Sequence, residues 1–144
     1  MELAKINDLN IIIEIDKKFY NDTFFNKTTI ANIINKKSKN KLYISKNKKA
    51  YLMIFKMPNK SLYITSLAGD KTTRRYLLTE LLDKYNIRSI VIYTHAKEQW
   101  GTDLFRELGF KKKGKGNIDD EIVKFNDDIS KLWLYEYIPV INRK

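Results

Sequence analysis

The apolar positions of the chain change period twice. Over residues 7–20, Leu9, Ile12, Ile13 and Tyr20 recur at helical spacing; Asp16 continues the same stripe, Phe19 lies beside it, and Asn7 or Asp8 suits the N-cap. Residues 27–38 repeat the pattern with Ile30, Ile33 and Ile34, capped by Thr28 or Thr29. The period then shortens to that of strands. Lys41–Lys46 reads as a strand, Asn47–Lys49 as a turn, 50–57 as a strongly apolar strand, Pro58–Lys60 as a turn and 61–67 as a third strand rich in β-branched and aromatic residues. Three strands at hairpin spacing predict an antiparallel meander.

A helix is predicted from Asp70 to about Tyr85, with Leu77, Leu78, Leu81, Leu82 and Tyr85 on its apolar face. Residues 89–94 read as a buried strand. A helix connects it to the strand before, so the two are expected to run parallel. A further helix spans about 98–108, with Trp100, Leu104, Phe105 and Leu108 on one side and Gly109 placed to close it. The tail holds a predicted strand at about 121–126 and an apolar segment at 132–141. The fold class is therefore α+β: a mixed, largely antiparallel sheet flanked by helices, forming a single domain over residues 1–144.

Composition narrows the chemistry. Hydrophobic residues make up 43% of the chain and aromatics 12%, with five glycines and two prolines, as in a folded globular protein. The absence of cysteine excludes disulfides, thiolate metal sites and cysteine nucleophiles. The one histidine, His95, speaks against a histidine metal cluster, and no metal site is predicted. No stretch reaches the length of an apolar membrane span and no leader-like segment opens the chain, so a cytoplasmic location is expected, without membrane insertion. The net charge of +11 fits an anionic partner, and it equally fits a chain rich in Lys, Asn and Ile together. Seven lysines lie between Lys36 and Lys49, and Lys111, Lys112, Lys113 and Lys115 form a second cluster. Such patches can track a nucleic-acid backbone, and lysines on hairpin edges also oppose aggregation.

The element order, together with Leu104-Phe105-Arg106-Glu107-Leu108-Gly109-Phe110, resembles the GNAT superfamily of acyl-CoA N-acyltransferases over roughly residues 5–126. In that family a helix ending in a tyrosine–x–x–leucine–glycine–phenylalanine-like phrase follows the fifth strand. The resemblance implies acetyl-CoA bound in a wedge between strands 61–67 and 89–94. The backbone of Leu67, Ala68 and Gly69 would hold it, and the helix start with Lys71, Arg74 and Arg75 would take its phosphates. Free N–H groups and the helix dipole favour anions at such a place. The family's loop runs arginine or glutamine–x–x–glycine–x–glycine or alanine, and the inner glycines are missing between Gly69 and Leu77. Lys71, Arg74 and Arg75 stand at i, i+3, i+4 spacing, where a bound anion would offset their opposition to the dipole; alternatively Asp70 caps the helix and the cations face water.

The family's general-acid tyrosine falls on Phe105, and an asparagine seven residues before it falls on Glu98. Tyr63, Tyr76 and Tyr93 are alternative candidates for protonating the leaving thiolate. His95, at the end of its predicted strand, and Glu98 are the candidate catalytic residues for relaying the amine proton. The resemblance implies an N-acetyltransferase acting on a primary amine of a small molecule or protein. The alternative is a catalytically inactive basic domain that binds protein or nucleic acid. The apolar segment 129–141 reads as a final core strand or as a homodimer contact.

Overall fold

The computed structural model describes residues 1–20, 26–97, 102–115 and 132–140. Among these, the helices are α1 (Leu9–Tyr20), preceded by a 3-10 turn at Ile6–Asp8, α2 (Lys27–Ile34), α3 (Lys71–Asn86) and α4 (Asp103–Glu107). The strands are β1 (Glu2–Leu3), β2 (Lys41–Ile44), β3 (Ala50–Lys56), β4 (Leu62–Gly69), β5 (Ile92–Ala96), β6 (Lys111–Lys115) and β7 (Trp133–Tyr137). They form one seven-stranded sheet in the order β1-β2-β3-β4-β5-β7-β6, antiparallel except for the β4–β5 pair. No helix among the described residues is long and apolar enough to cross a membrane.

The sheet separates two cores. Leu77, Leu78, Leu81 and Leu82 of α3, with Leu104 and Phe105 of α4, bury one face against Leu52, Ile54, Ile64 and Ile92. Ile12 of α1 and Ile30 and Ile33 of α2 bury the other against Ile44, Tyr51, Met53 and Ala68. The helical stripes legible in the sequence are the ones that reach these cores, because apolar positions three and four apart share a helix face.

Beyond α4 the structure departs from expectation. The basic cluster Lys111–Lys115 forms β6, the last strand in the sheet order among the described residues. Its lysines account for themselves there: Lys113 pairs with Glu136 at 3.3 Å, and Lys112 Nζ sits 3.6 Å over the Trp133 ring. Lysines on an edge strand block strand addition. The predicted strand at 121–126 lies outside the described residues. β7 lies between β5 and β6 and pairs with both, so β7 itself has no free strand edge to offer a second copy.

β4 shapes the centre of the molecule. It pairs with β3 from Leu62 to Gly69, and with β5 over Leu62–Ile64 opposite Ile92–Thr94. A β-bulge interrupts the β3–β4 register: Met53 faces Ser66 while Ile54 faces Ile64, so Thr65 is the extra residue. The bulge shifts the strand's phase. Leu62, Ile64 and then Leu67 join the α3 core, while Ala68 joins the core under α1 and α2. At its end Gly69 has φ +129°, and a Cβ there would lie 2.3 Å from the Lys49 carbonyl oxygen and 2.5 Å from Ala50 Cα. The glycine serves the close approach of the β2–β3 turn, a backbone demand no other residue meets. Gly69→Ala is expected to lower the unfolding free energy by about 2–3 kcal/mol in urea denaturation, through strain and overlap together.

Candidate active site

After Ile64 and Thr94 the two parallel strands separate. Thr94 Oγ1 donates to the Ile64 carbonyl at 3.0 Å and pins the fork. The wedge beyond is lined by Thr65, Ser66 and Leu67 of β4, Thr94, His95 and Ala96 of β5, and closed by Phe19, Tyr20 and Phe105. Side chains fill it to a cavity of about 20 Å³. The larger grooves lie elsewhere; one of about 630 Å³ runs between α1 and the end of β4, past Ile11, Ile15, Phe19, Lys18 and Lys49.

The predicted site residues separate into those the structure brings to the wedge and those it does not. Leu67 lies on it, and its backbone N–H donates to the Tyr20 hydroxyl. Ala68 is buried under α1, and Gly69 is engaged by the β2–β3 turn. Asp70 is the N-cap of α3: its Oδ1 accepts from Thr73 N at 2.7 Å. Hydrogen bonds from the Thr73 side chain and backbone hold its carboxyl below the usual carboxylate range. The helix terminus thus already has a negative group.

The three cations do not act as one cluster. Lys71 is exposed at the helix start. Arg74 is buried, its Nε donating to the Gly69 carbonyl at 3.0 Å and its guanidinium standing 4.6 Å from the centre of the Phe19 ring. Arg75 forms an ion pair with Glu107 that ties α3 to α4.

His95 sits inside β5 and not at the strand end, opposite Leu134 of β7. It is buried, its Nδ1 is 2.7 Å from the Tyr63 hydroxyl, and its Nε2 has no hydrogen-bond partner among the described residues. Burial penalises the imidazolium and pushes the pKa down to about 4. The ordinary value near 6.5, which would suit a proton relay, does not survive the fold. Glu98 lies outside the described residues. Phe105 stacks on Tyr135 with ring centres 5.9 Å apart and packs edge-on against Phe110 at 5.2 Å. Tyr76 is exposed, whereas Tyr63 is fully buried. No group of three His, Asp or Glu residues able to hold a metal ion occurs among the described residues.

One group is not evident as a site residue from the sequence. Asp16 is 1% exposed and accepts a hydrogen bond from the Tyr51 hydroxyl. Tyr51 is 2.9 Å from Ser66 Oγ, which is 2.5 Å from the Tyr20 hydroxyl. The available signal is the carboxylate on the apolar stripe of α1. Its partners come from two strands and no local pattern joins them.

The buried imidazole links stability to pH. The unfolded chain takes up the His95 proton near pH 6.5 and the folded protein only near 4. Its contribution is therefore fully present above 6.5 and is lost as pH falls toward and through 4. Between about pH 7 and pH 4.5 the wild type is expected to lose about 2–3 kcal/mol more unfolding free energy than His95→Gln, as measured by urea denaturation at both values.

No family model matches the sequence, and no curated protein matches it significantly. Solved structures do. An acetyltransferase of the GNAT family from Staphylococcus aureus superposes with a TM-score of 0.71 at 14% identity, covering 94% of this chain and 96% of that one. The spermidine N-acetyltransferase from Vibrio cholerae, solved with CoA and spermine, gives 0.67 at 13% identity over 96% of this chain and 94% of that one. The ribosomal-protein-S18-alanine N-acetyltransferase from Escherichia coli gives 0.66 at 13% identity over 96% and 92%. The forked β4–β5 pair, the element order and these superpositions agree: the chain has the GNAT acyl-CoA N-acyltransferase fold.

Proposed function

We propose that the protein is an N-acetyltransferase that moves an acetyl group from acetyl-CoA to a primary amine. The observation that carries this reading is the fork: β4 and β5 part after three paired positions and leave a wedge lined by Thr65, Ser66 and Leu67 of β4. The Leu67 N–H already donates to a hydroxyl oxygen there, and His95 Nε2 is a buried polar atom without a partner among the described residues. These groups fit the acyl end of the cofactor. A pocket for a ligand of that size needs roughly 300–1,000 Å³, so Phe19 and Phe105 must move aside, and Tyr20 must release the Leu67 N–H while keeping its bond to Ser66.

When bound, acetyl-CoA supplies an activated acyl group as a thioester. Leu67 N–H would polarise the acyl oxygen, a preorganised donor in a site shielded from water. The backbone at Ala68 and Gly69 continues the same edge. Lys71 and Arg75 would meet the phosphates, Arg75 after leaving Glu107; Arg74 acts from behind, holding the Gly69 carbonyl and the Phe19 ring. His95, neutral at physiological pH, serves as a hydrogen-bonding wall, since a group with a pKa near 4 is a poor acceptor of an amine proton. Glu98 is the other candidate for accepting that proton. The acceptor class is a small-molecule or protein amine; the similar structures from Vibrio cholerae and Escherichia coli are named for a polyamine and for a ribosomal-protein alanine.

A second reading, an inactive domain of this fold that binds protein or nucleic acid, is favoured by Asp70 at the helix terminus and by Phe105 in the closed wedge. Titration calorimetry with acetyl-CoA, followed by turnover over a panel of polyamines and alanine-terminated peptides, separates the two. The transferase reading expects binding and acetylation. No binding at millimolar cofactor removes it, and binding without turnover favours the second. Glu107→Gln is expected to raise acetyl-CoA affinity up to about fivefold by releasing Arg75, because an exposed ion pair is worth roughly 0.2–1 kcal/mol; Arg75→Ala is expected to lower it.

A further inference from the structure

Asp16 is expensive where it stands. It occupies a core position of α1, one turn from Ile12, in a cluster completed by Ile30 and Ile33 of α2 and by Ile44 and Met53 of the sheet. A leucine at that place would complete the stripe, and a buried carboxylate must be held by hydrogen bonds to be tolerated there.

The hydrogen bonds around it have a direction. Tyr51 spends its one hydroxyl proton on Asp16 Oδ1. In its 2.9 Å contact with Ser66 Oγ, Tyr51 must then be the acceptor and Ser66 the donor. Ser66, with its own proton spent, accepts from Tyr20 across 2.5 Å. Every hydroxyl in the chain Tyr20–Ser66–Tyr51–Asp16 therefore points its proton toward the carboxylate. Burial raises the pKa of both Tyr20 and Tyr51, which keeps these phenols protonated and able to donate. Ser66, Tyr51 and Asp16 are buried, whereas Tyr20 is half-buried and, like Ser66, lines the wedge.

We infer that Asp16 is the terminal proton acceptor of the wedge, reached through Tyr20, Ser66 and Tyr51. This rests on the amine-acylation reading. In the step, an ammonium N–H bond at the wedge breaks and its proton joins the Tyr20 oxygen. The Tyr20 proton passes to Ser66, that of Ser66 to Tyr51, and that of Tyr51 to Asp16 Oδ1. The carboxylate becomes a carboxylic acid, the ammonium a neutral amine with a free electron pair, and the three hydroxyls are regenerated. Charge balances, since one positive and one negative group are neutralised together. Titratable groups that face Asp16 include Tyr51 of β3 and Tyr20 of its own helix, and Arg74 of α3 acts on Tyr20. α2 adds the apolar Ile30 and Ile33 to the surrounding core. Only Tyr20 contacts the acceptor; Ser66, Tyr51 and Asp16 act through it.

The test pairs a readout of the carboxyl with one of the reaction. Carbon NMR of aspartate-labelled protein without cofactor follows the Asp16 carboxyl, identified by its loss in Asp16→Asn. Tyr51→Phe removes the bond it receives and is expected to raise its titration midpoint by roughly one unit. With acetyl-CoA and whichever polyamine or alanine-terminated peptide is acetylated, kcat is expected to fall roughly 10²-fold or more in Asp16→Asn. The acid limb of the wild-type pH profile should coincide with the carboxyl titration, move with it in Tyr51→Phe and vanish in Asp16→Asn. Tyr51→Phe removes a single oxygen and keeps the test open should the aspartate variant fail to fold. An acid limb that persists in Asp16→Asn, or that is insensitive to Tyr51→Phe and vanishes in Glu98→Gln, overturns the relay while leaving the transferase standing. A wild type that binds no acetyl-CoA overturns the transferase reading, and the relay with it.

Discussion

The structure turns on one strand that keeps one neighbour and leaves the other. β4 is bonded to β3 along its whole length but to β5 for three positions, after which a single side-chain bond from Thr94 to Ile64 marks the fork. The bulge at Thr65 makes this compatible with two filled cores. One extra residue bends the strand and reverses which face its side chains meet. Leu67 therefore stays with the α3 core although it follows Ile64 by three residues, and Ser66 turns to α1, where Tyr20 and Tyr51 meet it. Uninterrupted alternation would have placed Ser66 with Leu62 and Ile64.

A fork in a sheet exposes backbone groups, and unsatisfied groups in a buried place are costly. The chain covers them itself. Tyr20 sits on the Leu67 N–H, Asp70 on the start of α3, Glu107 on Arg75, and Phe105 fills the space between β5 and α4. On the transferase reading a ligand would replace several of these groups with similar interactions, so opening exchanges contacts. The net free-energy change of such an exchange is far smaller than the gross strength of the bonds involved.

Much of the fold is legible in the chain. Helical stripes in α1, α2 and α3, the turn-bounded strands β2–β4, the helix that makes β4 and β5 parallel and the glycine closing α4 can be read along the chain, and such patterns survive folding when they agree with the core they build. Less legible is the end of the sheet. Lysines dominate β6, so hydrophobic periodicity says nothing there, and an edge strand needs none. The position of β7 between β5 and β6 is a long-range choice that strand propensity does not encode.

For the site, the amino-acid sequence by itself determined the residue types and their faces: a carboxylate on the apolar stripe of α1, a histidine near the end of a buried strand, a phenylalanine where the similar family has tyrosine, an acid at the start of α3. Tertiary structure alone decided what these groups are. It buried His95 deeply enough to keep it neutral, gave Gly69 to the β2–β3 turn, parted Arg74 from Arg75, and joined Asp16 to the wedge through Tyr51 of β3 and Ser66 of β4. The reason is physical. Faces and propensities follow from spacing along one segment, whereas pKa values, hydrogen-bond direction and closeness of backbone approach depend on desolvation and on partners that only the packed sheet brings together.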